Sequence, residues 1–349
     1  VNVNWIGDVI FSTPFIKTVR QNYPGSFIAC LMHPRCVDVL KDNPRIDEII
    51  VYDEEGIHKS LAGKLRLIAA LKKKRFDIAF ILHRSFTKAL VTFLAGVKER
   101  VGYPTKKRGI FLTKTAEIPD EEVHKVEYFL NIARAYGMDA RGVSYEFFIG
   151  DSDRKKINQF LNENGISGKD KLIVLCPGGN WDPKRWLKEN FAALADLFIE
   201  RLGAKVVISG ANKDMGLAQD IKKMMKNEPV ISCGKTDLKG LGALLERANL
   251  VIANDTGPVH LAAAMKTKVI ALFGPTSPKL TGPYGEGNYR VIWKNDGCDP
   301  STGSGSHPEA LEGCDVPCYD VTCADNRCMA LIIVEDVFKA AEEILNICR

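Results

Sequence analysis

The run Asn4-Trp5-Ile6-Gly7-Asp8-Val9 follows Val1-Asn2-Val3, which reads as the end of a strand, and leads toward a helix at about Pro14. A carboxylate beside a flexible glycine at a strand end is placed to act as a general base, taking the proton of an attacking hydroxyl. Asp8 is therefore the candidate base. A helix cap is the other use of an aspartate there, and a single residue does not separate the two.

A second chemical run is Ala253-Asn254-Asp255-Thr256-Gly257-Pro258-Val259-His260-Leu261. Asp255 or Thr256 suits a cap, and Pro258 suits the first helical turn, where its missing N–H costs nothing. Gly257 adds more than a helix start. Without a side chain it lets backbone amides and the positive end of the helix dipole approach a diphosphate, and His260, one turn in, is a donor to the same group. A capped helix is the plainer reading of these residues alone. Their place at the carboxyl end of a strand in an open α/β sheet favours the anion site.

Two further loops follow strand patterns. In Pro177-Gly178-Gly179-Asn180-Trp181-Asp182-Pro183-Lys184-Arg185-Trp186, the glycines permit close backbone approach and Lys184 supplies a mobile point charge for phosphate. The alternative is a turn with a tryptophan packed on its own helix. In Gly210-Ala211-Asn212-Lys213-Asp214, the carboxylate of Asp214 either accepts from ribose hydroxyls or caps the next helix.

Common nucleotide signatures are missing. No G-x-G-x-x-G follows a strand, which argues against a dinucleotide oxidoreductase, and Gly234-Lys235-Thr236 is no phosphate loop because Pro229 stands where its first glycine belongs. The cysteines crowd one end. Cys314, Cys318, Cys323 and Cys328 offer thiolates for a structural metal, but without the paired C-x2-C of zinc ribbons; reduced thiols or disulfides formed on oxidation are the alternatives.

These residues need a scaffold of alternating strands and helices, and 349 residues suffice for two domains. With 46% hydrophobic and 26% charged residues, the chain is an ordinary globular one, and no apolar run is long enough to span a bilayer. A net charge of +5 is too mild to imply nucleic acid. The basic runs Lys72-Lys73-Lys74-Arg75 and Lys106-Lys107-Arg108 fall in the first half. Solvated surface is the plain reading of the first; a face meeting anionic lipid or an anionic acceptor is the functional one. The opening valine reads as a processed or truncated start, and the lack of a signal-type leader gives a cytoplasmic reading.

Short β-branched runs alternating with helical periodicity predict a parallel sheet with crossover helices, twice over. Strands are expected at 27–31, 49–51, 78–82 and 100–102, then at 172–176, 205–209, 230–232, 250–253 and 269–273. The boundary is expected near Gly165, giving domains 1–165 and 166–330 and a last helix from about Val334 to Ile347 within 331–349. Asn295 to Gly313 reads as a loop.

The pairing of Asn4-Trp5-Ile6-Gly7-Asp8-Val9-Ile10-Phe11-Ser12-Thr13-Pro14 with Asn254-Asp255-Thr256-Gly257-Pro258-Val259-His260-Leu261-Ala262-Ala263-Ala264 resembles glycosyltransferase family 9, the heptosyltransferases of lipopolysaccharide assembly. Lys184-Arg185-Trp186, Arg100-Val101-Gly102-Tyr103, Phe273-Gly274-Pro275-Thr276 and Gly282-Pro283-Tyr284-Gly285 occur in the family's order. The Asn-Trp-Ile-Gly-Asp opening resembles the enzymes adding the second heptose more than the first.

The resemblance implies a GT-B fold of two Rossmann-like α/β/α domains facing a central cleft. The amino-terminal domain binds the acceptor, the carboxyl-terminal domain binds the nucleotide sugar, and the last helix packs back on the first domain. It further implies inverting transfer of heptose from ADP-heptose to the lipopolysaccharide inner core, with no cofactor and no catalytic metal. The acceptor implies a peripheral place at the inner face of the plasma membrane. Asp8 matches the family's base, Lys184 its phosphate lysine, and Asp255, Thr256, Gly257 and His260 its diphosphate loop, with Pro258 removing one amide of the cradle. Gly179, Asn180 and Asp214 match on the donor side. Arg84, Arg100, Lys106, Lys107 and Arg108 become candidates for the anionic groups of the acceptor, although solvated surface is the plainer reading of each singly. The rival readings are transfer of another sugar to a different surface glycan, and a noncatalytic nucleotide-sugar-binding protein.

Overall fold

The computed structural model describes residues 1–285, 287–294, 318, 320–323 and 326–347. The chain divides into two compact units, Val1–Phe148 and Ile149–Arg349. Each is an α/β unit with parallel strands.

In the first unit α1 (Ile6–Phe11) and α2 (Thr13–Asn22) precede β1 (Ala29–Met32), α3 (Val37–Leu40), β2 (Glu48–Val51) and α4 (Leu61–Lys74). Then come β3 (Ile78–Ile81), α5 (Phe86–Leu94), β4 (Glu99–Gly102), β5 (Lys114–Thr115) and α6 (Lys125–Ala135). β1 pairs with β2, and β3, β4 and β5 pair in that order, all parallel. Val1 and Asn2 link the two sets: the Asn2 amide donates to Leu31 O at 2.9 Å, and the Leu82 amide donates to Val1 O at 3.0 Å. The opening residues thus lie in strand position, as their pattern predicts. Helices form where caps and an apolar stripe coincide. Ser60 Oγ accepts from the Gly63 amide and Ser85 Oγ from the Lys88 amide, while Leu67, Leu71, Val91 and Ala95 bury the inner faces of α4 and α5.

The second unit holds α7 (Asp151–Glu163), β6 (Leu172–Cys176), α8 (Lys188–Leu202), β7 (Lys205–Ile208), α9 (Met215–Met224), β8 (Val230–Ile231) and α10 (Leu238–Arg247). It continues with β9 (Leu250–Asn254), α11 (Gly257–Ala264), β10 (Val269–Phe273), α12 (Pro278–Thr281), β11 (Tyr289–Trp293), α13 (Arg327–Ala330) and α14 (Val334–Leu345). The parallel sheet has the order β11-β10-β9-β6-β7-β8. β6, β9 and β10 are buried along their whole length, as strands covered on both faces must be. α8 stops at Gly203, whose φ of +60 is left-handed, the usual glycine stop.

Several boundaries differ from expectation. The division falls before Ile149 and not at residue 165, because α7 packs on α10 and Arg154 Nε meets Glu246 Oε2 at 2.7 Å. The last helix was expected against the first domain. Within the second unit this helix joins the core: Val337, Phe338, Ala341 and Ile344 are buried there, and the Phe338 ring lies 5.7 Å from that of Phe198 on α8. β11 was not predicted. The helix expected at Pro14 is preceded by α1, which begins at Ile6 with no side-chain cap to announce it.

Candidate active site

The donor-side candidates converge in the second unit at the carboxyl ends of β6, β9 and β10. β9 ends at Asn254, whose buried amide holds two strand ends together. Its Nδ2 donates to Pro177 O at 2.8 Å, and its Oδ1 accepts from the Trp186 amide at 3.1 Å. The loop carrying Lys184 is thereby tied to the end of β9. Lys184 Nζ lies 2.6 Å from Asp255 Oδ2, and the same oxygen accepts from the Thr276 hydroxyl at 2.6 Å. The ammonium also sits 4.9 Å from the centre of the Trp181 ring.

Beside this cluster is the tip of α11. Thr256 occupies the N-cap in extended conformation, yet its hydroxyl donates to Asn254 O at 3.0 Å and no side chain caps the helix. Thr256, Gly257 and Pro258 are partly exposed, between the buried Asp255 and Val259. An uncapped tip with an ammonium nearby is suited to an anion such as a diphosphate. His260, one turn in, is 3% exposed.

The remaining donor-side candidates occupy neighbouring loops. Asp214 is buried and capping: its Oδ2 accepts from the Ala211 amide at 2.9 Å. A methyl group on Gly178 would approach that carboxylate to 2.8 Å, so glycine is required there for the two loops to close. Gly179 O accepts from Arg185 Nη2 at 2.7 Å, and Asn180 Oδ1 accepts from Lys213 Nζ at 3.0 Å.

Asp8 lies in the first turn of α1, where a negative charge complements the helix dipole. It is partly exposed, and Lys125 Nζ, at the start of α6, is 3.8 Å from its Oδ1. The preceding loop is pinned at Asn4. Its carbonyl accepts from Arg35 Nε at 2.9 Å and from Cys36 Sγ at 3.1 Å, and its Oδ1 accepts from Lys88 Nζ at 2.6 Å. Trp5 projects outward, 60% exposed, with the Arg35 guanidinium 4.5 Å from its ring centre.

Lys88 was not singled out from sequence. It is buried on α5, with Glu54 Oε2 at 3.4 Å, and desolvation lowers its pKa against the opposing pull of that carboxylate. A lysine in an otherwise apolar helix gives no sign of facing inward. Lys125 and Thr276 were missed for a related reason, since each acts through a partner distant in sequence.

The basic candidates separate into two kinds. Arg84, 4.9 Å from the Tyr128 ring centre, Lys106 and Lys107 are exposed. Arg108 is fully buried: its Nε donates to Tyr103 O at 2.6 Å and its Nη1 to His83 O. The placement of Arg108 on an acceptor surface is corrected accordingly. The donors of Arg100 go to the carbonyls of Phe111, Val97 and Lys98, so it closes a local turn.

Cys318, Cys323 and Cys328 are free thiols, while Cys314 lies outside the described residues. Among the described residues no group of three or more His, Cys, Asp or Glu side chains could hold a metal ion. None of the described helices is long and apolar enough to cross a membrane.

Comparison with known proteins bears on the family and the fold. Lipopolysaccharide heptosyltransferase 2 of Escherichia coli K12 is 28% identical over 295 residues, covering 81% of this chain and 84% of that protein. The crystal structure of the glycosyl transferase family 9 from Veillonella parvula DSM 2008 is 28% identical with a TM-score of 0.86, covering 99% of this chain and 95% of that one. The E. coli ADP-heptose lps heptosyltransferase II structure, 24% identical with a TM-score of 0.79 over 99% and 97% of the two chains, supports the fold. The expected GT-B fold class is borne out. The family profile described as glycosyltransferase family 9 (heptosyltransferase) matches residues 64–310, and the chain belongs to that family.

Proposed function

We propose that this protein transfers a heptose from ADP-heptose to the inner core of lipopolysaccharide, with inversion at the anomeric carbon and without a catalytic metal. The observation that carries the reading is the Lys184–Asp255–Thr276 cluster beside the uncapped tip of α11, in a chain of this family. Lys184 and the tip amides neutralise the departing diphosphate, a task that lowers the barrier because charge develops there in the transition state. His260, buried one turn into α11, is a further donor-side residue, and Asp214, Gly179 and Asn180 shape the loops around the nucleotide.

Asp8 is the general base. The acceptor hydroxyl oxygen forms its bond to the anomeric carbon as the bond from that carbon to the β-phosphate oxygen breaks; Asp8 takes the hydroxyl proton, and ADP leaves with the bonding pair. Arg84, Lys106 and Lys107 receive the anionic groups of the acceptor. The enzyme works in the cytoplasm, at the inner face of the plasma membrane where such an acceptor is anchored.

Incubating the protein with a panel of nucleotide sugars and truncated lipopolysaccharide acceptors, with mass spectrometry of the products, tests this reading. A mass gain of one heptose, from ADP-heptose only, is expected. A gain from another sugar, or ADP binding without any product, contradicts it.

A further inference from the structure

The outer face of α5 is apolar. Phe86, Leu90, Phe93 and Leu94 recur at helical spacing, and Phe86, Phe93 and Leu94 are exposed, while Lys88, Ala89, Val91 and Thr92 face inward. The short 3-10 turn Arg108–Phe111 extends this face. The Phe111 ring meets those of Phe86 and Phe93 at 5.1 and 5.4 Å between centroids, and Ile110 is 77% exposed. The contacts join helix and turn into one patch, and exposed apolar patches of this kind mark interaction sites.

Its border is cationic. Lys106 and Lys107 are exposed just ahead of the turn, Arg84 is exposed two residues ahead of Phe86, and the Arg100 guanidinium lies 5.3 Å from the Phe93 ring centre. α5 contains no acidic residue. The adjoining α4 repeats the composition, with exposed Leu61 and Leu65, basic Lys64, Arg66, Lys72 and Lys73, and no acid. The nearest acid in sequence, Glu99, is engaged by the Tyr136 hydroxyl at 2.9 Å.

We propose that the outer face of α5 and the 108–111 turn docks on an anionic lipid bilayer, with Phe86, Phe93, Leu94 and Ile110 entering the headgroup boundary and the cationic border, which also receives the anionic groups of the acceptor anchored there, facing the lipid phosphates. Apolar side chains ringed by cations match both halves of such a surface. A second copy of this chain would bring the same cationic border and repel. The proposal rests on the proposed lipid-anchored acceptor for its use, whereas the face itself is read from these residues.

Co-sedimentation of the full chain with vesicles of about three parts phosphatidylcholine to one of phosphatidylglycerol, and of phosphatidylcholine alone, is the test. Binding is expected to be roughly tenfold tighter to the anionic vesicles and to weaken as salt rises toward ~1 M. Leu94→Gln with Ile110→Ser is expected to lower that affinity about tenfold, with transfer to a water-soluble delipidated core oligosaccharide unchanged. Ile110→Ser alone, on an exposed turn, serves if the pair misfolds. Equal binding of variant and wild type, or equal binding to neutral vesicles, overturns the proposal. So does a wild-type dimer that the variant abolishes, since the occupant is then a second copy. Failure of the wild type to glycosylate the soluble acceptor contradicts the transferase reading and leaves the vesicle result standing.

Discussion

Lys184 Nζ and Asp255 Oδ2 stand 2.6 Å apart, so the lysine that faces the α11 tip is already ion-paired before any diphosphate arrives. Thr276 shares the same carboxylate oxygen. The pair orients the ammonium, and a phosphate must compete with Asp255 for it. Lys184→Ala removes the charge and leaves a buried carboxylate that, among the described residues, keeps the Thr276 hydroxyl as its side-chain partner. ADP affinity measured by calorimetry should fall about 10- to 100-fold, and stability should drop by roughly 2 kcal/mol in denaturant unfolding. Unaltered ADP affinity would remove the phosphate role.

On the proposed reading, Lys184 and the backbone amides of the α11 tip carry the diphosphate charge without a divalent cation. Transfer rates are expected to stay within about twofold after treatment with EDTA. A large loss restored by magnesium would show that the diphosphate is carried by a metal ion.

Lys88 holds the side chain of Asn4 at 2.6 Å, while Arg35 and Cys36 hold that residue's carbonyl, so on the proposed reading Lys88 positions Asp8 through Asn4. Lys88→Met should lower kcat by about tenfold, because a loosened loop misplaces Asp8, while KM for ADP-heptose stays the same. Lys88→Arg should recover part of the loss. Equal changes in kcat and KM, with no recovery by arginine, would mark Lys88 as part of the general fold instead.

His83 supplies a pH signature. Burial first, then the charges of Lys88 and Arg108, lower its imidazole from 6.5 to about 4. The unfolded chain takes up this proton near 6.5 and the folded chain only near 4. The stabilising contribution is therefore complete above pH 6.5 and is lost as pH falls toward 4. Allowing for the ring's partial exposure, the loss is on the order of 1 kcal/mol. The unfolding temperature of His83→Gln should show a shallower decline across that window than the wild type; parallel curves would exclude His83 as the source.

The second unit was the more legible in sequence. Its strands are runs such as Leu172–Cys176 and Leu250–Asn254, buried on both faces, and continuous apolar β-branched stretches announce that directly. The α11 tip was legible too, because Gly257 and Pro258 are positional signals. α1 was not. Gly7 stands within it and Trp5 makes no cap, so nothing local marks a helix at Ile6, which forms through tertiary packing of Val9, Ile10 and Phe11. Side-chain direction was the other blind spot: Arg108 read as a charge available to the acceptor and Lys88 was not singled out, and their burial depends on the Tyr103 and His83 carbonyls and on Asn4, partners no spacing rule reveals. For the last helix, the apolar stripe of Val337, Phe338, Ala341 and Ile344 tells that it packs but not that α8 of the second unit is among its partners.

The proposed roles of Asp8 and the diphosphate site are tested most directly by Asp8→Asn, a change that keeps shape and removes the carboxylate proposed as base. Single-turnover transfer of heptose, followed alongside ADP calorimetry, should show a rate lower by about 100- to 10,000-fold with ADP affinity unchanged. Transfer at the wild-type rate would contradict the assignment of Asp8, and with it the account of how the acceptor hydroxyl is activated.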